Sequence, residues 1–62
     1  MRQILEETDD NGFTKRYYYD SKNTDSVIII QLKISGKVEK MISEMRIPLE
    51  YAPDKIKDLV NE

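Results

Sequence analysis

Four carboxylates near the amino-terminal end are the side chains whose type and spacing come nearest to catalytic chemistry. Glu6, Glu7, Asp9 and Asp10 lie close together in the sequence, and two neighbouring carboxylates can serve as general acid and base. The chain contains no His and no Cys. It therefore lacks imidazole catalysis, a thiolate nucleophile and a Cys/His zinc site. It also has no glycine-rich phosphate loop, since its only glycines are Gly12 and Gly36. We expect no enzyme, no cofactor and no small-molecule ligand.

The same acidic stretch continues into Asp9-Asp10-Asn11-Gly12, which begins like a calcium-binding loop. It lacks the alternating ligands and the distal bidentate Glu of such loops. Asn-Gly is a strong signal for a two-residue hairpin turn, because both residues tolerate positive φ. We therefore interpret the carboxylates as the solvated end of a hairpin and expect no metal site.

A second candidate for chemistry is the run Lys15-Arg16-Tyr17-Tyr18-Tyr19. Basic and aromatic side chains on a strand can contact phosphates and stack on bases. The alternative is an amphipathic strand with Tyr17 and Tyr19 packed inward. We favour the strand, because a net charge of −2 is not typical of nucleic-acid binding. Nucleic-acid binding stays as the alternative function, and its contacts would come from Lys15, Arg16, Tyr18 and Lys33.

Three strands must position these residues. Apolar, aromatic and β-branched side chains predict strands over 3–8, 13–19 and 26–34, with a polar connection over 20–25. A two-residue Asn11-Gly12 turn predicts a register that pairs Leu5 with Tyr18 and Glu7 with Arg16. The alternative is a three-residue loop with a bulge, which would shift the first strand by one residue and move Leu5 to the other face. In the third strand we expect one face to form the core; its residues are Ile28, Ile30, Leu32 and Ile34.

The segment over 37–47 admits two interpretations. Val38, Met41, Ile42 and Met45 have helical spacing, which favours a helix over 37–45. The alternative is a fourth strand over 37–47, because Ser35-Gly36 is also an acceptable hairpin turn. The carboxyl-terminal segment predicts a short helix in both cases, with Pro53 in its first turn.

These elements predict one α+β domain covering residues 1–62. Its sheet is an antiparallel meander of three strands, with a fourth at 37–47 as the alternative, and the short carboxyl-terminal helix packs on the sheet. We expect a second helix beside it. The apolar stripe of the carboxyl-terminal helix consists of Ile56, Leu59 and Val60.

The size of the chain argues for a partner. A core of 62 residues barely offsets the entropy of ordering the chain, so oligomerisation is a natural support.

No signal segment and no run long enough to cross a bilayer occurs, so we expect a cytoplasmic protein without membrane contact. The chain has eight Ile, seven Lys against three Arg, and one Ala. This usage suits an AT-rich genome, including that of a phage or plasmid.

The expected function is a small, non-enzymatic protein-binding or regulatory module, either homodimeric or docked on another protein. In the Asn11-Gly12 register, an apolar patch forms on the sheet face opposite the predicted core. Its residues are Leu5, Tyr18, Val27 and Ile29. Exposed apolar patches of this kind mark interfaces. The competing interpretation is that the carboxyl-terminal helix crosses this face and buries it.

Overall fold

A computed structural model describes residues 1–20, 22 and 25–61. It contains one four-stranded antiparallel sheet with strand order β1-β2-β3-β4. The strands are β1 (Arg2–Thr8), β2 (Phe13–Asp20), β3 (Ser26–Ser35) and β4 (Val38–Pro48). A 3-10 turn over Leu49–Tyr51 leads into the only α-helix of the described residues, α1 (Asp54–Val60). The α+β meander is therefore confirmed. Within the predicted polar connection, Ser21, Asn23 and Thr24 lie outside the described residues.

The favoured helix over 37–45 is wrong, and the alternative fourth strand is present. β4 pairs with β3 along its whole length, from Val38 opposite Ser35 to Pro48 opposite Ser26. The turn between them uses Gly36 at φ +62, a left-handed conformation that glycine adopts without steric cost. The long β3 offers a backbone partner to every residue that follows this turn. That pairing outweighs the helix propensity of Lys, Glu and Met.

The β1–β2 hairpin differs from the predicted register by one residue along β1. Leu5 pairs with Tyr17 rather than Tyr18, and a bulge lies between Gln3 and Leu5. The reason is a longer turn, in which one Asp9 carboxylate oxygen accepts the backbone N–H of Asn11 at 2.9 Å and of Phe13 at 3.0 Å. A slip of one residue transfers a side chain to the other face. Leu5 consequently lies on the face of Tyr17.

The core lies between α1 and the sheet face that carries Val27 and Ile29. Its buried centre consists of Tyr17, Val27, Ala52 and Ile56. Leu59 and Val60 are half-buried, as expected for the predicted apolar stripe. Tyr17 is 5% exposed and Tyr19 packs against the same cluster, so the inward packing of these two side chains is confirmed.

The predicted core face is the one turned away from α1, which corrects the expectation from the sequence. Ile28 and Leu32 are nevertheless buried on it, whereas Ile30 and Ile34 are half-buried. The chain reaches the other face because the turn after Pro48 redirects it. Within that turn, the Ala52 N–H donates to the Leu49 carbonyl at 3.0 Å.

Candidate functional site

Strand β4 carries most of the exposed apolar side chains of the described chain. Val38, Met41, Ile42 and Met45 are 66%, 59%, 49% and 54% exposed. β4 is also an edge of the sheet, because β3 is its only neighbour in the strand order. An edge strand presents unpaired backbone N–H and C=O groups along its outer side. β4 therefore combines free backbone hydrogen-bonding capacity with exposed apolar side chains.

A β-bulge in the middle of β4 changes which side chains share a face. Ser43 pairs with Gln31 and Met41 pairs with Leu32, so Ile42 is the extra residue. Side chains alternate between faces along a regular strand. The extra residue shifts this alternation by one position, so that odd-numbered residues lie on different faces before and after the bulge. The faces of the first half must therefore be assigned through β3.

The assignment through β3 gives each face of β4 a mixed set of side chains. Val38, Lys40, Met45 and Ile47 lie on the face of α1, opposite Ser35, Lys33, Ile29 and Val27. Glu39, Met41, Glu44 and Arg46 lie on the other face, opposite Ile34, Leu32, Ile30 and Ile28. Exposed apolar side chains thus stand on both faces of this edge.

The opposite edge of the sheet, β1, is partly covered by α1. The Lys55 ammonium group donates to a Glu7 carboxylate oxygen at 2.7 Å. Ile4 of β1 and Leu59 of α1 line a crevice between the two elements. β1 also contains a bulge. Bulges and covering elements are the usual means by which proteins protect a sheet edge. β4 also has a bulge, but α1 packs against β1, so β4 is the more open of the two edges.

A carboxylate–arginine–carboxylate chain fixes the first half of β4. Arg16 of β2 binds Glu6 of β1 at 2.5 Å and Glu39 of β4 at 2.6 Å. Since β3 lies between β2 and β4, the Arg16 side chain crosses it. The hydrogen bonds that the guanidinium donates to Glu6 and Glu39 raise the pKa of Arg16, so it stays charged. This chain of contacts ties three strands to one another on the face away from α1.

A second polar cluster fixes the far end of β4. One Arg46 nitrogen lies 3.1 Å from an Asp20 carboxylate oxygen and 2.7 Å from the Ser26 hydroxyl. Asp20 and Ser26 are 8% and 3% exposed, and a buried carboxylate requires such a partner. β4 is therefore held at both ends, which keeps its backbone extended along the edge.

The predicted partner-binding residues do not form one surface. Val27 is fully buried, and Leu5 and Ile29 pack against the cluster beneath α1. Tyr18 lies on the other face, because it pairs with Gln3 and Ile28. The expected exposed patch is thus wrong, and α1 covers the site as the competing interpretation anticipated.

The residues of the nucleic-acid alternative are divided between the two faces. Lys15 pairs with Gln31, and Lys33 pairs with Phe13, so both lysines lie on the face of α1. The Lys33 ammonium group stands 4.7 Å from the centre of the Phe13 ring, a cation–π distance. Arg16 and Tyr18 lie on the other face, where Arg16 already binds two carboxylates.

Three of the four amino-terminal carboxylates are engaged in structural contacts. Glu6 binds Arg16, and Asp9 caps the hairpin turn through backbone amides. Glu7 accepts hydrogen bonds from Lys55 and from the Tyr17 hydroxyl, the latter at 3.1 Å. Burial, followed by that hydrogen bond, raises the pKa of Tyr17. These groups position strands and α1.

The Glu7–Lys55 contact gives the fold a pH dependence that can be measured. The hydrogen bond from Lys55, above all, lowers the pKa of Glu7 below its usual value of 4.5. A lowered pKa stabilises the fold above pH 4.5, and this contribution is lost as the pH falls through the folded-state pKa. We expect Glu7→Gln to lower the urea midpoint at pH 7. The difference from the wild type should shrink by pH 3.

The matched control is Glu50→Gln, since Glu50 is exposed and forms no ion pair among the described residues. Its urea midpoint should follow that of the wild type at both pH values. A Glu7→Gln midpoint equal to that of the wild type at pH 7 would show that the contact does not stabilise the fold.

Comparison with known proteins finds no family model, no curated protein and no solved structure that matches the chain. Within the residues that the structure describes, no helix has the length and apolar character needed to span a bilayer. The site must therefore be interpreted from its own geometry.

Proposed function

We propose that the chain is a small, non-enzymatic protein-binding module that takes a strand of its partner along the outer edge of β4. The observation that carries the proposal is the exposure of Val38, Met41, Ile42 and Met45 on a long strand with one unpaired side. Adding a strand to a sheet edge gives affinity through backbone hydrogen bonds and specificity through alternate side chains. β4 offers both kinds of contact.

The charges on β4 favour a selective partner over indiscriminate association. Glu39, Lys40, Glu44 and Arg46 alternate in sign among the apolar residues. Charged side chains at an edge disfavour strands with like charges at the facing positions. A partner strand needs an opposite charge at each facing position. This selectivity supports a regulatory role in which the chain binds one particular strand of its partner.

The exposed apolar residue Met45 provides a direct test. We expect Met45→Lys to weaken binding of strand-forming peptides, selected on the wild type from a displayed library, by about tenfold or more. The added ammonium group must be desolvated when a strand covers it. Tyr51→Lys is the matched control, because Tyr51 is 74% exposed and lies outside β4. It should leave binding unchanged.

Amide chemical shifts locate the contact independently of affinity. Bound peptides, or a second copy of the chain, should shift the amides of β4 and leave those of α1 in place. The proposal is contradicted if the shifted amides lie elsewhere, or if neither peptides nor a second copy associate with β4. If the chain instead binds nucleic acid, with an affinity that falls steeply with salt concentration, the alternative function is favoured.

A further inference from the structure

The sequence of β4 is complementary to itself when two copies run antiparallel. With Ile42 opposite Ser43 of the partner subunit, Glu39 faces Arg46 of the partner subunit. In the same register Val38 faces Ile47 of the partner subunit. Because a two-fold axis relates the copies, each contact occurs twice.

The bulge makes this register sterically consistent. Residues that face each other in antiparallel strands must lie on the same face of the sheet. Glu39 and Arg46 both lie on the face away from α1, since their β3 partners are Ile34 and Ile28. In a regular strand, positions 39 and 46 would lie on opposite faces, so the ion pair depends on the extra residue.

Neighbouring registers are less favourable. One of them places Glu39 opposite Glu44 of the partner subunit, where two like charges repel. The shift in the other direction leaves Arg46 opposite Met41 of the partner subunit. Only the first register pairs Glu39 with Arg46 and Val38 with Ile47; it places the remaining charges, Lys40 and Glu44, opposite Met45 and Met41 of the partner subunit.

We infer that the chain forms a symmetric homodimer in which two β4 strands pair antiparallel and join the two sheets into one of eight strands. This inference rests on the proposed function and names a second copy as the partner. The small size of the domain agrees with it, because a core of this size benefits from apolar contacts supplied by another chain.

The charged side chains of the interface are already ordered within each subunit. Arg16 holds Glu39, and Asp20 and Ser26 hold Arg46. A guanidinium group has five N–H donors, and a carboxylate accepts at both oxygens. Each can therefore bind a second partner while it keeps the first. Little side-chain entropy remains to be lost when the dimer forms.

A charge exchange tests the register. Sedimentation equilibrium of the wild type should give twice the chain mass of 7.3 kDa. Glu39→Arg and Arg46→Glu should each weaken the dimer about tenfold or more, because each places like charges opposite one another. The double variant E39R/R46E restores opposite charges across the interface and should dimerise more tightly than either single variant, although it lacks the contacts of Glu39 with Arg16 and of Arg46 with Asp20.

A wild-type measurement covers the case in which these variants lose their fold. In a mixture of isotope-labelled and unlabelled protein, we expect intermolecular contacts between Val38 and Ile47. A wild type that stays monomeric at millimolar concentration overturns the dimer, while peptide binding at β4 would still support the proposed function. A dimer without these contacts, or with single variants of unchanged Kd, overturns the register.

Discussion

Ile56→Ala is expected to remove most of the stability of the fold at 25 °C. Ile56 is fully buried at the centre of the cluster between α1 and the sheet. Replacing a buried isoleucine by alanine costs about 2–5 kcal/mol, and a domain of this size is rarely more stable than about 3–5 kcal/mol. Urea denaturation followed by circular dichroism gives the change in unfolding free energy.

Ile42→Ala is the matched control, since Ile42 is 49% exposed at the bulge of β4. Both variants should be measured at a protein concentration low enough to keep the chain monomeric, because association adds to apparent stability. We expect a loss of less than about 1 kcal/mol for Ile42→Ala. Equal losses in the two variants would contradict the placement of Ile56 in the core.

Val27→Lys is expected to abolish the fold. Val27 is fully buried and lies between Tyr19 and Ile47 on the face that α1 covers. An unpaired ammonium group at this position has to be desolvated, which costs more than the fold can offset. Loss of the dispersed amide spectrum would show the unfolding directly.

Met45→Lys is the control for this substitution, because Met45 lies on the same sheet face and is 54% exposed. Its amide spectrum should stay dispersed. At a concentration low enough to keep both proteins monomeric, its melting temperature should stay close to that of the wild type. A Val27→Lys variant that stays folded but has lost association would instead support the exposed patch predicted from the sequence.

Strong local signals in the sequence made the first three strands and α1 predictable. Asn-Gly marks the first hairpin, β-branched residues mark β3, and Pro53 precedes α1. The exact hairpin register was not accessible, because Asp9 extends the turn through its own side chain. One residue of slip was enough to change the face of Leu5.

The candidate site was missed because β4 imitates a helical pattern. Val38, Met41, Ile42 and Met45 have helical spacing, yet the bulge at Ile42 distributes them over both faces of a strand. The alternation of Met41, Ser43, Met45 and Ile47 supports the alternative strand, although the bulge places Met41 on the opposite face from the other three. An amphipathic helix buries such residues, whereas this edge leaves the four of them exposed.

The pairing of every strand with its neighbour in the chain has a consequence for folding kinetics. Hairpins between consecutive strands close short loops, which cost little chain entropy. The exception is the packing of α1 on β1, in which the Glu7–Lys55 contact spans 48 positions. Closing this large loop costs the most chain entropy, so we expect α1 to dock after the hairpins have formed.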